Sequence, residues 1–189
     1  QRRLNPSMHA HHRRLLAALL AGALLTLAFA PFNVAWLALL CPAALMLLLH
    51  DATPRIGARL GFSFGTGTFV AGTWWLYISV HDFGEAPMWL TIVLIVALVA
   101  IMALYYALLG YVAARWLPTE GPSRFLLGLP AAWLLTEWLR GWFLSGFPWL
   151  SLGYSQTDTW LAALAPIIGV YGISALLLIG SGSLALLWR

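Results

Sequence analysis

The stretch MWLTIVLIVALVAIMALYYALLGYVAARW, Met88–Trp116, decides what kind of protein this is. A helix rises about 1.5 Å per residue, so about 20 apolar residues cross a hydrocarbon core of about 30 Å. This run is longer than that. Working outward, five further apolar segments appear: Leu15–Ala30, Val34–Leu49, Gly57–Val80, Phe125–Leu144 and Leu161–Trp188. The first two are short. They are predicted to cross with the help of their flanks, because Pro31 and Asn33 make a tight polar turn suited to one interface. The pattern predicts an all-α membrane protein, a polytopic bundle of about six transmembrane helices at 15–30, 34–49, 57–80, 88–116, 125–144 and 161–188. A cytoplasmic basic tail, residues 1–14, precedes them.

Composition agrees with this class. The chain has 189 residues, 62% hydrophobic and 8% charged, with a mean hydropathy of +0.87. A soluble domain carries about 25% charged residues, enough to cover its surface in water. The net charge of +4 does not indicate nucleic acid, since the basic residues sit in short clusters between apolar runs and form no stripe. Cys41 stands alone and reads as a small core residue, with no internal disulfide or thiolate metal site possible. No cofactor is predicted. The chain starts at Gln1 and stops at Arg189 just after an apolar run, which reads as a fragment. Ala28-Phe29-Ala30 resembles a signal cleavage site, but Pro31 directly after it and five more apolar segments argue against cleavage.

Every basic side chain other than histidine is arginine. With a cytoplasmic N-terminus, the inside connections hold Arg2, Arg3, Arg13, Arg14, Arg55, Arg59, Arg115, Arg124 and Arg189. The outside ones hold Arg140 alone, as the positive-inside rule requires. The outer side then presents Pro31–Asn33, His81–Pro87 and Trp142–Trp160, and function is expected there. Gly57, Gly61 and Gly65, continued by Thr68 and Gly72, give a small-residue face for close helix packing. Gly169, Gly172, Gly180 and Gly182 read the same way.

Charged residues inside a membrane are costly and have a reason. Glu137 and Arg140 stand three apart, share a helix face and are predicted to pair. A guanidinium also suits a lipid phosphate, because it offers a planar donor fork. Pro148 is expected to stop the helix. Trp142, Phe147, Trp149, Tyr154 and Trp160 suit an interfacial belt or a lipid-lined access route. The predicted substrate contacts are Arg140, Gly146, Phe147, Pro148, Trp149, Tyr154 and Gln156, followed by Tyr77 and His81. His81 beside Asp82 is no catalytic dyad, because chain neighbours rarely face one target. His9, His11 and His12 lack metal-pair spacing, and His50-Asp51 reads as a polar connection. An intramembrane protease using Ser145 needs a histidine at membrane depth, and every histidine lies at a segment end or in the tail. A transporter or structural scaffold is the alternative, but it lacks charge pairs along a pathway and discontinuous helix pairs.

These motifs resemble a known family. Ala28-Phe29-Ala30-Pro31-Phe32-Asn33 is similar to the first outer turn of apolipoprotein N-acyltransferases. Gly72-Thr73-Trp74-Trp75-Leu76-Tyr77-Ile78-Ser79-Val80 leading to Phe83-Gly84 resembles their third-helix signature. The longest likeness runs through Glu137-Trp138-Leu139-Arg140-Gly141, Gly146-Phe147-Pro148-Trp149-Leu150, Leu152-Gly153-Tyr154-Ser155-Gln156 and Leu164 to Gly172. The resemblance implies a bacterial inner-membrane, multi-pass enzyme. It moves an acyl chain from a phospholipid, typically phosphatidylethanolamine, to the α-amino group of a lipoprotein's diacylglyceryl-cysteine. It implies a nitrilase-like domain with a Glu-Lys-Cys triad and a thioester acyl-enzyme. This chain contains no lysine, and Cys41 lies in an apolar run, so it is expected to have no catalytic residue and to be inactive alone.

Overall fold

The computed structural model describes residues 6–189; Arg2 and Arg3 of the basic tail lie outside the described residues. The helices are α1 (Pro6–Leu25), α2 (Leu37–Leu48), α3 (Pro54–Gly72), α4 (Met88–Trp116), α5 (Leu129–Trp142) and α6 (Ala165–Leu187), with no strand among the described residues. Short 3-10 turns follow at Thr26–Ala28, Phe143–Ser145, Leu152–Gln156 and Trp160–Leu164, and π-helical turns at Ile78–Phe83 and Arg124–Gly128. Local chemistry sets several ends. Thr53 caps α3, its hydroxyl accepting from the Ile56 amide, and Pro54 takes the first helical position, where its missing N–H costs nothing. α4 stops where Leu117, held extended (ψ 152°), precedes Pro118.

Two stretches are long and apolar enough to cross a membrane: Met88–Trp116, and Trp160–Leu187, which contains α6. The expected bundle of about six transmembrane helices is therefore corrected to an all-helical fold with two such helices among the described residues. Hydropathy reads composition straight through turns, and turns divide the other apolar runs. The run 57–80 breaks after Gly72. The run 125–144 begins in a π-helical turn, and its α-helix is 14 residues long. α2 has 12 residues, a rise of about 18 Å. α4 and α6 bury only a minority of their residues inside the protein. The rest present Ile92, Val93, Val96, Leu104, Ile167 and Ile179 outward. Exposed apolar surface of this extent is stable against lipid and not against water, so the protein is embedded in a membrane.

One end of the bundle is tied by arginines. The C-terminal carbonyls of α2 have no helical partner. Arg14 Nη2 donates to Leu48 O (2.6 Å) and His50 O (3.3 Å), and Arg124 Nη2 donates to Leu49 O (3.0 Å). Arg124 Nη1 reaches the end of α4 as well, at Ala113 O (3.1 Å) and Pro118 O (2.7 Å). A cation at a helix C-terminus also meets the negative end of the helix dipole. Burial pulls the pKa of the Arg124 guanidinium below its ordinary value, while Asp51 nearby pushes it back up. Arg189 lies over the Phe125 ring, on which His50 stacks, so this arginine end gathers residues next to α1, α2, α4, α5 and α6. Removing this fork strips a donor from three carbonyls, of which Leu49 O keeps only a long bond from the Ala52 amide (3.4 Å). Arg124→Ala is expected to lower stability by about 3 kcal/mol, read as a drop in melting temperature in detergent. Arg124→Lys should recover only part, because one ammonium cannot reproduce a fork.

The α3–α4 seam is built on glycine. A Cβ on Gly57 would overlap the Gly110 carbonyl, and one on Gly61 the Tyr106 carbonyl; one on Gly65 would come within 2.8 Å of Ala103 Cα. Further along α3 the neighbour changes. Thr68 Oγ1 donates to Gly22 O of α1 (3.1 Å), and Gly72 meets Leu150.

Candidate functional site

The opposite end of the bundle is built around α5. The helix ends at Trp142, before Pro148. Ser145 (φ 73°) and Gly146 (φ 74°) turn the chain back on itself, and a side chain on Gly146 would overlap the Gly141 carbonyl. The α-helix thus ends where Phe143 turns extended (ψ 137°), before the left-handed turn, and Pro148 already lies in the returning segment. The Phe147 amide then donates to Arg140 O (2.8 Å). This reversal lays residues 147–152 against the last turns of α5.

Glu137 and Arg140, each 1% exposed, hold that segment. Among the described residues they form no ion pair with each other. Glu137 Oε1 accepts from the Leu152 amide (2.8 Å) and from Trp133 Nε1 (3.1 Å), while Oε2 accepts from Ser174 Oγ of α6 (2.8 Å). Ser174 Oγ in turn accepts from the Gly153 amide (2.8 Å). Arg140 Nη1 donates to Trp149 O (2.8 Å) and Nη2 to Ser151 Oγ (3.3 Å), with the guanidinium 5.2 Å from the Phe69 ring centre. The two charged groups share a face, as spacing dictates, yet each bonds elsewhere: Glu137 to Trp133, the Leu152 amide and Ser174, and Arg140 through both Nη atoms to the returning chain, its buried Nε having no hydrogen-bond partner among the described residues. In a low-dielectric interior such groups are strong when fully bonded and costly when not.

Held this way, Pro148, Trp149, Leu150 and Tyr154 form one wall of a cavity of about 690 Å³. The 26–32 turn supplies the second wall through Thr26, Phe29, Pro31 and Phe32, and the end of α3 supplies the third through Gly72, Trp74 and Trp75. Trp149 Nε1 donates to Gly72 O (3.0 Å), and its ring lies 5.1 Å from that of Trp75. Asn33 Nδ2 donates to Asp158 Oδ2 (2.8 Å), tying the first turn to the connection before α6. The lining is mostly aromatic and aliphatic, the chemistry of a site for an apolar ligand.

The residues singled out from sequence fall into three groups. Pro148, Trp149 and Tyr154 line the cavity. Arg140, Gly146, Phe147 and Gln156 do not line it. Phe147 packs toward Phe69, and Gln156 is buried, its Nε2 donating to Ser155 Oγ (2.9 Å). Tyr77 and His81 sit apart in the 73–87 connection. Their rings lie 5.1 Å apart, and His81 Nδ1 is 2.8 Å from Ala86 O. Sequence reasoning did not place Trp75, Gly72, Trp133 or Ser174 among the site residues, reading Gly72 as a packing position. Trp133 could have been found, lying one turn before Glu137. Ser174 could not, because nothing local to a serine on α6 announces a partner on α5.

The fold and this chamber define a helical membrane protein with an apolar, aromatic-walled cavity, one wall of which is held in place by a buried Glu and Arg of α5. The family model for the apolipoprotein N-acyltransferase N-terminal domain matches residues 21–183. The chain is 43% identical over 176 residues to the apolipoprotein N-acyltransferase of Vibrio parahaemolyticus, covering 93% of this chain and 35% of that protein. It is 47% identical over 175 residues to the same-named protein of Pseudomonas putida, covering 92% and 35%. For that of Chromobacterium violaceum the figures are 45% over 176 residues, 93% and 34%. The chain belongs to the apolipoprotein N-acyltransferase family, and it spans about a third of the length of these curated relatives.

Proposed function

We propose that this chain is the membrane part of an enzyme that moves an acyl chain from a phospholipid to the α-amino group of a lipoprotein's diacylglyceryl-cysteine. It anchors the enzyme in the bacterial inner membrane with its N-terminus cytoplasmic, so that the arginine end lies inside and the tryptophan-walled cavity faces the periplasm. The arginine distribution supports this orientation. The cavity receives apolar chains of the lipid substrates and presents their polar ends to the reacting groups. The chain is inactive alone, because it has no lysine and its cysteine, Cys41, is buried in α2. The family's Glu-Lys-Cys triad cannot be assembled from it.

One observation carries the reading: an apolar cavity of about 690 Å³ walled by three separate segments that the family motifs supply. Trp149 is the test residue, since it lines the cavity and bonds across it to Gly72. In the full-length enzyme Trp149→Ala is expected to lower acylation of a diacylglyceryl lipopeptide by about tenfold, with the membrane level of the protein unchanged. Trp149→Phe, which keeps a ring, should lose less. A wild-type rate in Trp149→Ala would remove the proposal.

A further inference from the structure

We propose that a second groove, close to the arginine end of the bundle, binds an anionic membrane phospholipid. The groove has a volume of about 340 Å³ where α1, α3 and α4 meet, lined by Leu15, Ala58, Arg59, Phe62, Ser63 and Ala107. It lies at the other end of the molecule from the tryptophan-walled cavity and does not depend on the acyl-transfer reading. Arg59 and Ser63 are four apart on α3, hence on one face, and Arg55 is one turn earlier on the same line.

Charge complementarity selects the occupant. Arg14 and Arg124 are engaged by backbone carbonyls. Arg59 is not: among the described residues it makes no hydrogen bond or ion pair, and neither does Ser63. No carboxylate lines the groove. An unpaired guanidinium and a hydroxyl one turn away offer donors to a phosphodiester, and the Leu15, Phe62 and Ala107 walls accept an acyl chain. Basic pockets between helices suit anionic lipid headgroups in this way. Ala107 belongs to α4, one of the two membrane-crossing helices, so the groove opens where lipid is the solvent. A free phosphate would satisfy the guanidinium and leave the apolar walls bare.

Native mass spectrometry of the full-length enzyme in detergent, with phosphatidylglycerol or phosphatidylethanolamine added, tests this. Wild type is expected to retain one phosphatidylglycerol about tenfold more than phosphatidylethanolamine, the worth of one charge-assisted bond pair. Arg59→Gln should reduce retention to the phosphatidylethanolamine level, with Arg59→Lys between. Ser63→Leu keeps the charge, fills the groove and should also lose the lipid. Excess inorganic phosphate should not displace it. Acylation should stay at the wild-type rate in all three variants, which separates this site from the cavity. Equal retention of the two lipids by wild type, undiminished phosphatidylglycerol in Arg59→Gln or Ser63→Leu, or displacement by inorganic phosphate would each overturn the site.

Discussion

Glu137→Ala is expected to destabilise the protein by about 4 kcal/mol and to open the end of the bundle that carries the cavity. The carboxyl group takes three hydrogen bonds, from Trp133 on its own helix, from the Leu152 amide in the returning chain and from Ser174 on α6. All of these lie in the interior, where a donor left without its acceptor keeps the full cost of its lost hydration. The Leu152 amide suffers most, because a backbone group cannot rotate toward another partner. Glu137→Gln keeps one acceptor oxygen and should lose much less. The measurement is melting temperature of the full-length enzyme in detergent, with chymotrypsin cleavage after Trp149 or Tyr154 as the local readout. A Glu137→Ala protein that melts with wild type and resists chymotrypsin there would show that the returning chain is held by something else. Because Trp149 and Leu150 are positioned by this network, the same variant should also lose acylation, beyond what Trp149→Ala loses.

Gly61→Leu should prevent recovery of monodisperse protein. α3 and α4 touch backbone to backbone there, and even a Cβ on Gly61 would overlap the Tyr106 carbonyl. A backbone oxygen cannot move aside without moving its helix, so the substitution must part the two helices along their seam. Overpacking of this kind costs about 3 kcal/mol or more when the obstacle is rigid. Gly61→Ala should fold with lowered stability. Gly180 is the control: a Cβ there would meet only Leu39 Cδ2, at 2.9 Å, the mobile end of a side chain. Gly180→Ala should stay within about 1 kcal/mol of wild type. Equal behaviour of Gly61→Leu and wild type in size-exclusion chromatography would refute the seam as a close backbone contact.

The family was legible because its motifs are contiguous. Glu137–Gly141, Gly146–Leu150 and Leu152–Gln156 fall inside the matched residues 21–183 and need no tertiary information to be read. The number of membrane-crossing helices was not legible, since average hydropathy does not register where Gly72, Trp142 or the 26–36 turn ends a helix. The partners of Glu137 and Arg140 show the same limit more sharply. Their spacing places both on one face, and a direct pair is the natural reading. The structure gives each a different set of partners because the chain reverses at Ser145 and Gly146, bringing the Trp149 carbonyl and the Leu152 amide closer than the two side chains are to each other.

Sequence alone determined the helical membrane class, the family and the arginine asymmetry, because apolar run length, contiguous motifs and charge distribution are one-dimensional properties. Tertiary structure alone decided that the 26–32 turn, the end of α3 and the 148–157 connection close round one cavity, that Arg14 and Arg124 cap helix ends, and that Arg59 is left without a partner. Those contacts join residues tens of positions apart, and which of many possible partners each group finds is fixed only when the helices pack.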